Sequence, residues 1–177
     1  CQAIPMEIVK KMCCIFEERN RHYFVNMVLE DALLIFYGTF HNDVEKKLYM
    51  DMRSSPYRNY VYGEFPEDGD VVYFLLVDTI ENIDVIEKEI KKQYYADELL
   101  FLRDSSETPE GYCHFKIYHK NATKQFMVEQ LKQRLGITKI VAFGSNKNDV
   151  QMLKSADLSI AMKESIEEAK QVSDYVL

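Results

Sequence analysis

The sequence predicts an α/β protein in two parts: an α+β layer with a largely antiparallel sheet, then a parallel, Rossmann-like layer. Two observations carry this and a third allows it. Up to about residue 118 the pattern runs helix-strand-strand, a middle section, then helix-strand-strand again. Such units make an antiparallel sheet with helices on one face. After Tyr118 the texture becomes strict helix-strand alternation with short apolar strands, the mark of a parallel sheet. The length of 177 residues leaves room for two small domains with a sizeable core. The boundary falls near His119, giving residues 1–118 and 119–177, and without a low-complexity linker the parts are expected to pack closely.

In the first part, Ile8, Val9, Met12, Cys13 and Phe16 recur at helical spacing through Asn20, and Pro5 is tolerated near the helix start. Tyr23 to Leu29 and Ala32 to Tyr37 are β-rich runs divided by Glu30-Asp31, which predicts a hairpin although that pair is a weak turn signal. Asp43 to Met52 is a short helix with Val44, Leu48 and Met52 on one face. Residues 54–69 hold Pro56, Gly63, Pro66 and Gly69 among tyrosines and read as a loop, with at most a short strand at Tyr60 to Tyr62. Val71 to Val77 is a buried strand. Asn82 to Gln93 is a helix with Ile83, Val85, Ile86 and Ile90 on its apolar side. Strands at Leu99 to Leu102 and Tyr112 to Tyr118 close this part around a polar loop.

In the second part, Thr123 to Leu135 is a helix with Phe126, Met127, Leu131 and Leu135 apolar, stopped by Gly136. The strand Ile140 to Phe143, the helix Asn148 to Lys154, the strand Leu158 to Met162, the helix Ser165 to Val172 and a strand Tyr175 to Leu177 follow. Ile140 to Phe143 is a continuous apolar run, which suits a strand covered on both faces. Gly144 is read as the residue that can take positive φ in a sharp strand-to-helix turn. Ser145, Asn146, Asn148 and Asp149 then place oxygens and amides at the carboxyl end of that strand, where ligands sit in open α/β sheets. The same residues also cap helices, so an ordinary turn explains them equally well. A carboxylate, amides and a helix N-terminus together could hold a metal-phosphate pair. Lys124 sits in the first turn of its helix, where a cation opposes the helix dipole. A single helical lysine is ordinarily a solvated one, but its place just before the Gly144 unit makes it a candidate.

Composition narrows the function classes. Apolar residues at 47% and charged residues at 29% describe an ordinary globular protein. No apolar run is long enough to span a bilayer, and the first residues lack a signal-peptide pattern. The net charge of -7 argues against non-specific nucleic-acid binding. A phosphorylated substrate stays open, because a metal or a local lysine reverses the sign within a site. Cys1, Cys13, Cys14 and Cys113 match neither a metal-ligand spacing nor a disulfide framework. Adjacent Cys13 and Cys14 fall within an apolar helical pattern and are read as core thiols of a reducing compartment, which makes a cytoplasmic location the expectation.

Four runs in order give the second part a family likeness. Thr123-Lys124 resembles a lysine motif in which Lys follows a short polar stretch. Val141-Ala-Phe-Gly-Ser-Asn-Lys-Asn-Asp-Val-Gln-Met-Leu resembles a Gly-Asp-x-x-Asn-Asp metal motif with its trailing Met-Leu. Ala156-Asp-Leu-Ser-Ile-Ala-Met and Asp174-Tyr-Val-Leu resemble two downstream signatures. Together they resemble the haloacid dehalogenase (HAD) superfamily in its Cof-type (class IIB) phosphatase branch. Residues 119–177 then correspond to the C-terminal half of a partial Rossmann-like HAD core. Residues 1–118 resemble, in element order, the α/β cap that sets substrate specificity.

The resemblance implies Mg²⁺-dependent hydrolysis of small phosphorylated metabolites through an aspartyl-phosphate. It implies that Lys124 and Asp149 act in catalysis, and that Thr123, Lys124 and Asn148 bind the phosphate. Asp149, with Ser145 in a weaker role, would hold the metal. Asn148 would hydrogen-bond within the same cluster, and the cap would close over the site and exclude water. The chain departs from the family at two places. The nucleophile motif, Asp-x-Asp on a strand before the cap, has no counterpart there; Asp68-Gly69-Asp70 precedes an apolar strand and reads as a turn. Ser145 stands where the family has its first metal-binding aspartate, and a hydroxyl is a poor Mg²⁺ ligand. The expectation is therefore the C-terminal portion of a longer phosphatase, inactive alone. Its partners would be the missing N-terminal core segment or a second copy at an exposed sheet edge, with neither nucleic acid nor membrane. The alternative is a non-catalytic binding or regulatory protein that keeps the fold. A nucleotide-binding module is disfavoured by the lack of Gly-x-Gly-x-x-Gly.

Overall fold

A computed structural model describes residues 2–177; Cys1, counted above among the cysteines, lies outside the described residues. The chain divides into two compact units, one reaching Lys120 and the other Asn121–Leu177. The first contains α1 (Met6–Glu18), β1 (Phe24–Leu29), β2 (Ala32–Tyr37), α2 (Asp43–Met52), β3 (Asn59–Tyr62), β4 (Asp70–Thr79), α3 (Ile80–Lys91), β5 (Leu99–Asp104) and β6 (Tyr112–His119). These strands form one sheet in the order β3-β2-β1-β4-β6-β5. Every pair is antiparallel except β2–β3, which is parallel.

The central strands are apolar on both faces, and that decides where the helices go. Val25, Met27, Phe74 and Leu76 pack with Val9, Met12 and Phe16 of α1 and Ile83, Ile86 and Ile90 of α3. The alternate residues Phe24, Leu75 and Val77 face the other way, where Val44 and Leu48 of α2 cover them. Helices on one face were expected, and α2 departs from this. The reason is the period of two along a strand: Phe24, Leu75 and Val77 would lie bare against water without it. Asp68 and Gly69 form the turn that enters β4, as their position before an apolar strand requires.

The hairpin between β1 and β2 is tight. Leu29 pairs with Ala32, so only Glu30 and Asp31 lie in the turn, with φ of 47° and 65°. Two left-handed residues define the turn whose twist matches the strands, and Asn-Gly is its preferred pair. Glu30→Asn combined with Asp31→Gly is expected to stabilise the fold by about 1 kcal/mol. The check is a higher urea midpoint at unchanged slope; an unchanged midpoint would show that the turn carries no relievable strain.

The thiols divide. Cys113 is buried, and burial pushes the half-buried Cys13 up to about 11, whereas Cys14 is exposed. Cys14 therefore departs from the core-thiol reading, because one helical step of about 100° turns it away from the face Cys13 shares. Among the described residues no helix is long and apolar enough to cross a membrane.

The second unit contains α4 (Lys124–Leu135), β7 (Val141–Gly144), a 3-10 turn (Lys147–Asp149), α5 (Val150–Ser155), β8 (Leu158–Ala161), α6 (Glu167–Val172) and β9 (Tyr175–Val176). Its sheet is parallel in the order β7-β8-β9. Thr123 caps α4, and Gly136 ends it with φ of 63°. The core is small: Ala142, Val150, Leu153 and Ala169. The strand expected to be covered on both faces is covered on one, since Ala142 is buried while Val141 and Phe143 are 55% and 57% exposed. The apolar stripe of α4 is likewise uncovered, with Met127, Leu131 and Leu135 all exposed.

Candidate functional site

The site forms where β7 ends. Asp149 closes the 3-10 turn that follows Gly144, and its side chain folds back over the loop. Its Oδ2 accepts the Ser145 and Asn146 N–H groups at 2.9 and 3.0 Å. Its Oδ1 accepts from Lys124 Nζ at 2.5 Å. The backbone N–H of Asp149 closes the turn onto the Asn146 carbonyl at 2.9 Å. Lys124 reaches this carboxylate from the first residue of α4, where Thr123 Oγ1 accepts the Phe126 N–H at 3.1 Å. A cation at a helix N-terminus is unfavourable. The carboxylate offsets that, and the pair is asymmetric: the Asp149 side chain is 7% exposed and that of Lys124 is 51%. The acid is a buried anchor and the ammonium remains open to solvent.

Gly144 is required here for a reason different from the one its sequence context gave. Its φ is not in the left-handed region, which only Gly63, Gly111 and Gly136 occupy among the described glycines. Instead, a Cβ on Gly144 would lie 2.6 Å from Asp149 Cβ and 3.1 Å from Leu153 Cδ1. The glycine is what lets Asp149 approach the strand end. Side chains that the motif did not single out brace the loop from behind. Buried Ser165 donates to the Gly144 carbonyl at 3.3 Å and accepts the Met162 N–H at 2.9 Å, while the Ile166 N–H donates to the Ser145 carbonyl at 3.0 Å. In the sequence Ser165 reads only as the start of a helix; its contact with Gly144 is a long-range one with no local signal.

Burial pushes the Asp149 carboxyl up, and the Lys124 ammonium with the two loop N–H groups more than reverses it, so it titrates below its ordinary 3.8. A depressed carboxyl contributes stability that is present above the ordinary value and lost as pH falls through the folded one. Acid should therefore loosen this loop only below about pH 4. The expected result is an acid transition in the second unit, followed by circular dichroism, whose midpoint moves when Asp149→Asn removes the titrating group. An unmoved midpoint would place the acid sensitivity elsewhere.

The candidate residues are thus only partly assembled. Lys124 and Asp149 are in direct contact. Ser145 contributes its backbone N–H to Asp149. The Thr123 hydroxyl is engaged in capping α4. Asn148 is exposed on the 3-10 turn and makes no hydrogen bond to Asp149 among the described residues, so the expected bond within the cluster does not form. Among the described residues no group of three or more His, Cys, Asp or Glu side chains could hold a metal ion.

Comparison with known proteins places these features. A family model described as haloacid dehalogenase-like hydrolase matches residues 1–177. The 5-amino-6-(5-phospho-D-ribitylamino)uracil phosphatase YitU of Bacillus subtilis is 23% identical over 176 residues, covering 97% of this chain and 60% of the relative. The crystal structure of TM0651 from Thermotoga maritima superposes with a TM-score of 0.74 at 25% identity, covering 98% of this chain and 61% of that one. The HAD subclass IIB sugar phosphatase BT4131 superposes at 0.64 with 22% identity, covering 99% and 62%. The chain spans about three fifths of the length of these relatives.

Proposed function

The chain belongs to the haloacid dehalogenase-like hydrolase family, and from that premise we propose that residues 1–177 carry the phosphate-receiving half of a phosphatase of small phosphorylated metabolites. The observation that supports this is the Lys124–Asp149 pair at the carboxyl end of β7. A phosphoryl group in transfer spreads negative charge over its oxygens, and catalysis of such transfer rests on positioning and charge stabilisation. Asp149 fixes the ammonium with a lowered carboxyl that stays ionised near neutrality. Lys124, half exposed, presents that cation to the phosphate. Thr123 and the exposed amide of Asn148 take the outer contacts.

In this reading the transfer passes through an aspartyl-phosphate, a covalent route that splits one difficult step into two. The attacking carboxylate comes from outside residues 1–177, on a strand that pairs along the outer edge of β7 beside Phe143 and Val141. The alternative cover for that edge is a second copy of the chain. Residues up to Lys120 act as the cap that selects the metabolite, and the location is cytoplasmic.

Magnesium, which the family resemblance implies, does not fit the residues of this chain alone. The cluster offers one carboxylate whose two oxygens already accept three N–H groups, and Ser145 supplies a hydroxyl where a hard cation wants charged oxygen. Ser145 is also the observation that favours the second reading, a binding or regulatory protein that has kept the fold without turnover. Hydrolysis of p-nitrophenyl phosphate with added Mg²⁺ separates the two. Turnover by the full-length protein, with none by residues 1–177 alone, is the result expected for the enzyme. Binding of phosphate without turnover in the full-length protein would select the regulatory reading.

A further inference from the structure

The donor set at the end of β7 suits an anion better than a divalent cation. We propose that residues 1–177 hold phosphate through the Lys124 ammonium and the Ser145 hydroxyl, without a divalent metal. This rests on the phosphate reading of Lys124 and deepens it by naming what stands in for the metal. The first support is a count of lone pairs. Asp149 Oδ2 accepts the Ser145 and Asn146 N–H groups at 2.9 and 3.0 Å, which fills both of its lone pairs. Oδ1 accepts from Lys124 Nζ at 2.5 Å and keeps one. A metal on that last lone pair, about 2.1 Å from the oxygen, would lie within roughly 5 Å of the ammonium. Two cations so placed repel each other.

The carboxylate is also not free to turn outward. Asp149 is buried, and its Cβ is packed so closely on Gly144 that a methyl there would be 2.6 Å away. Meeting a metal in another orientation would break all three hydrogen bonds at once. Lys124 is the reverse case. Its side chain is half exposed, and two of its three ammonium N–H donors are not used by Asp149. Ser145 is held on both sides, since its N–H donates to Asp149 and its carbonyl accepts the Ile166 N–H at 3.0 Å. Among the described residues its hydroxyl makes no hydrogen bond. It is a neutral donor one carboxylate away from the ammonium, suited to a phosphate oxygen and poor for a hard cation.

The test is titration of inorganic phosphate into the 177-residue chain, followed by phosphorus NMR, with Mg²⁺ present or with a chelator. Saturable binding of equal affinity in the two conditions is expected. Lys124→Ala should weaken it roughly tenfold and Ser145→Ala roughly fivefold, the worth of one charge-assisted and one neutral hydrogen bond. Ser145→Asp should create the metal dependence that the chain lacks. Its carboxylate repels phosphate in chelator, and added Mg²⁺ restores binding. The thermal midpoint of each variant, measured first, shows that it is folded. Binding by the unsubstituted chain only when Mg²⁺ is present would overturn the proposal and leave the phosphate reading standing. Binding indifferent to both alanine variants would also overturn it. Saturable binding in neither condition would remove the phosphate reading, and the proposal with it.

Discussion

Asp149→Ala is expected to cost the second unit about 3 kcal/mol and the full-length protein roughly 10²–10³-fold in kcat. The stability loss comes from the loop, because the Ser145 and Asn146 N–H groups lose a charged acceptor held at 2.9 and 3.0 Å. Lys124 adds less to that figure, since its side chain is 51% exposed and regains water when released. The activity loss comes from the same release, because an unanchored ammonium no longer sits where charge develops. Asp149→Asn separates the two effects. Its carbonyl oxygen can still accept the loop N–H groups, so most of the stability returns, while the lost charge frees the lysine and activity stays low. Urea unfolding and p-nitrophenyl phosphate turnover, measured on the same samples, check both halves. Activity at the unsubstituted level in Asp149→Asn would remove the anchoring role.

Gly144→Ala has the second largest expected effect. The added methyl would sit 2.6 Å from Asp149 Cβ, which is tied directly to the backbone, and 3.1 Å from Leu153 Cδ1, a methyl of a buried side chain. Overpacking of this kind costs about 1–3 kcal/mol. The larger consequence is for the site, since the simplest relief moves Asp149 away from the loop and from Lys124. Activity is therefore expected to fall well beyond what the stability change explains. The acid transition should also shift toward the ordinary carboxylate value as the hydrogen bonds that depress it loosen. A variant that is destabilised yet fully active would show that the close approach serves packing alone.

The limits of the sequence are instructive at the same residues. The element order was readable almost throughout, because periodicity reports which face of a helix or strand is apolar. It also placed Lys124, Gly144 and Asp149 at a strand end and a helix start, where ligands bind. What it could not give was the partner of each group. Gly144 looked like a positive-φ glycine, and its actual requirement is a contact with a residue five positions later. Ser165 looked like a helix start and supports the Gly144 carbonyl 21 residues away. Asn148 carried a motif position and stands exposed on its turn. The side of the sheet that α2 covers was likewise unreadable from α2. It is set by the second apolar face of β1 and β4, a property of other elements.

The central claim is that the Lys124 ammonium, held by Asp149, neutralises the charge on the phosphate during transfer. The most direct measurement is kcat/KM for p-nitrophenyl phosphate in the full-length protein, with and without Lys124→Ala, each variant first shown to be folded. Lys124 lies on the exposed side of its pair, so the fold should tolerate the change. The account predicts a fall of roughly 10²–10³-fold, carried mainly in kcat. Turnover by Lys124→Ala equal to that of the unsubstituted protein would contradict it.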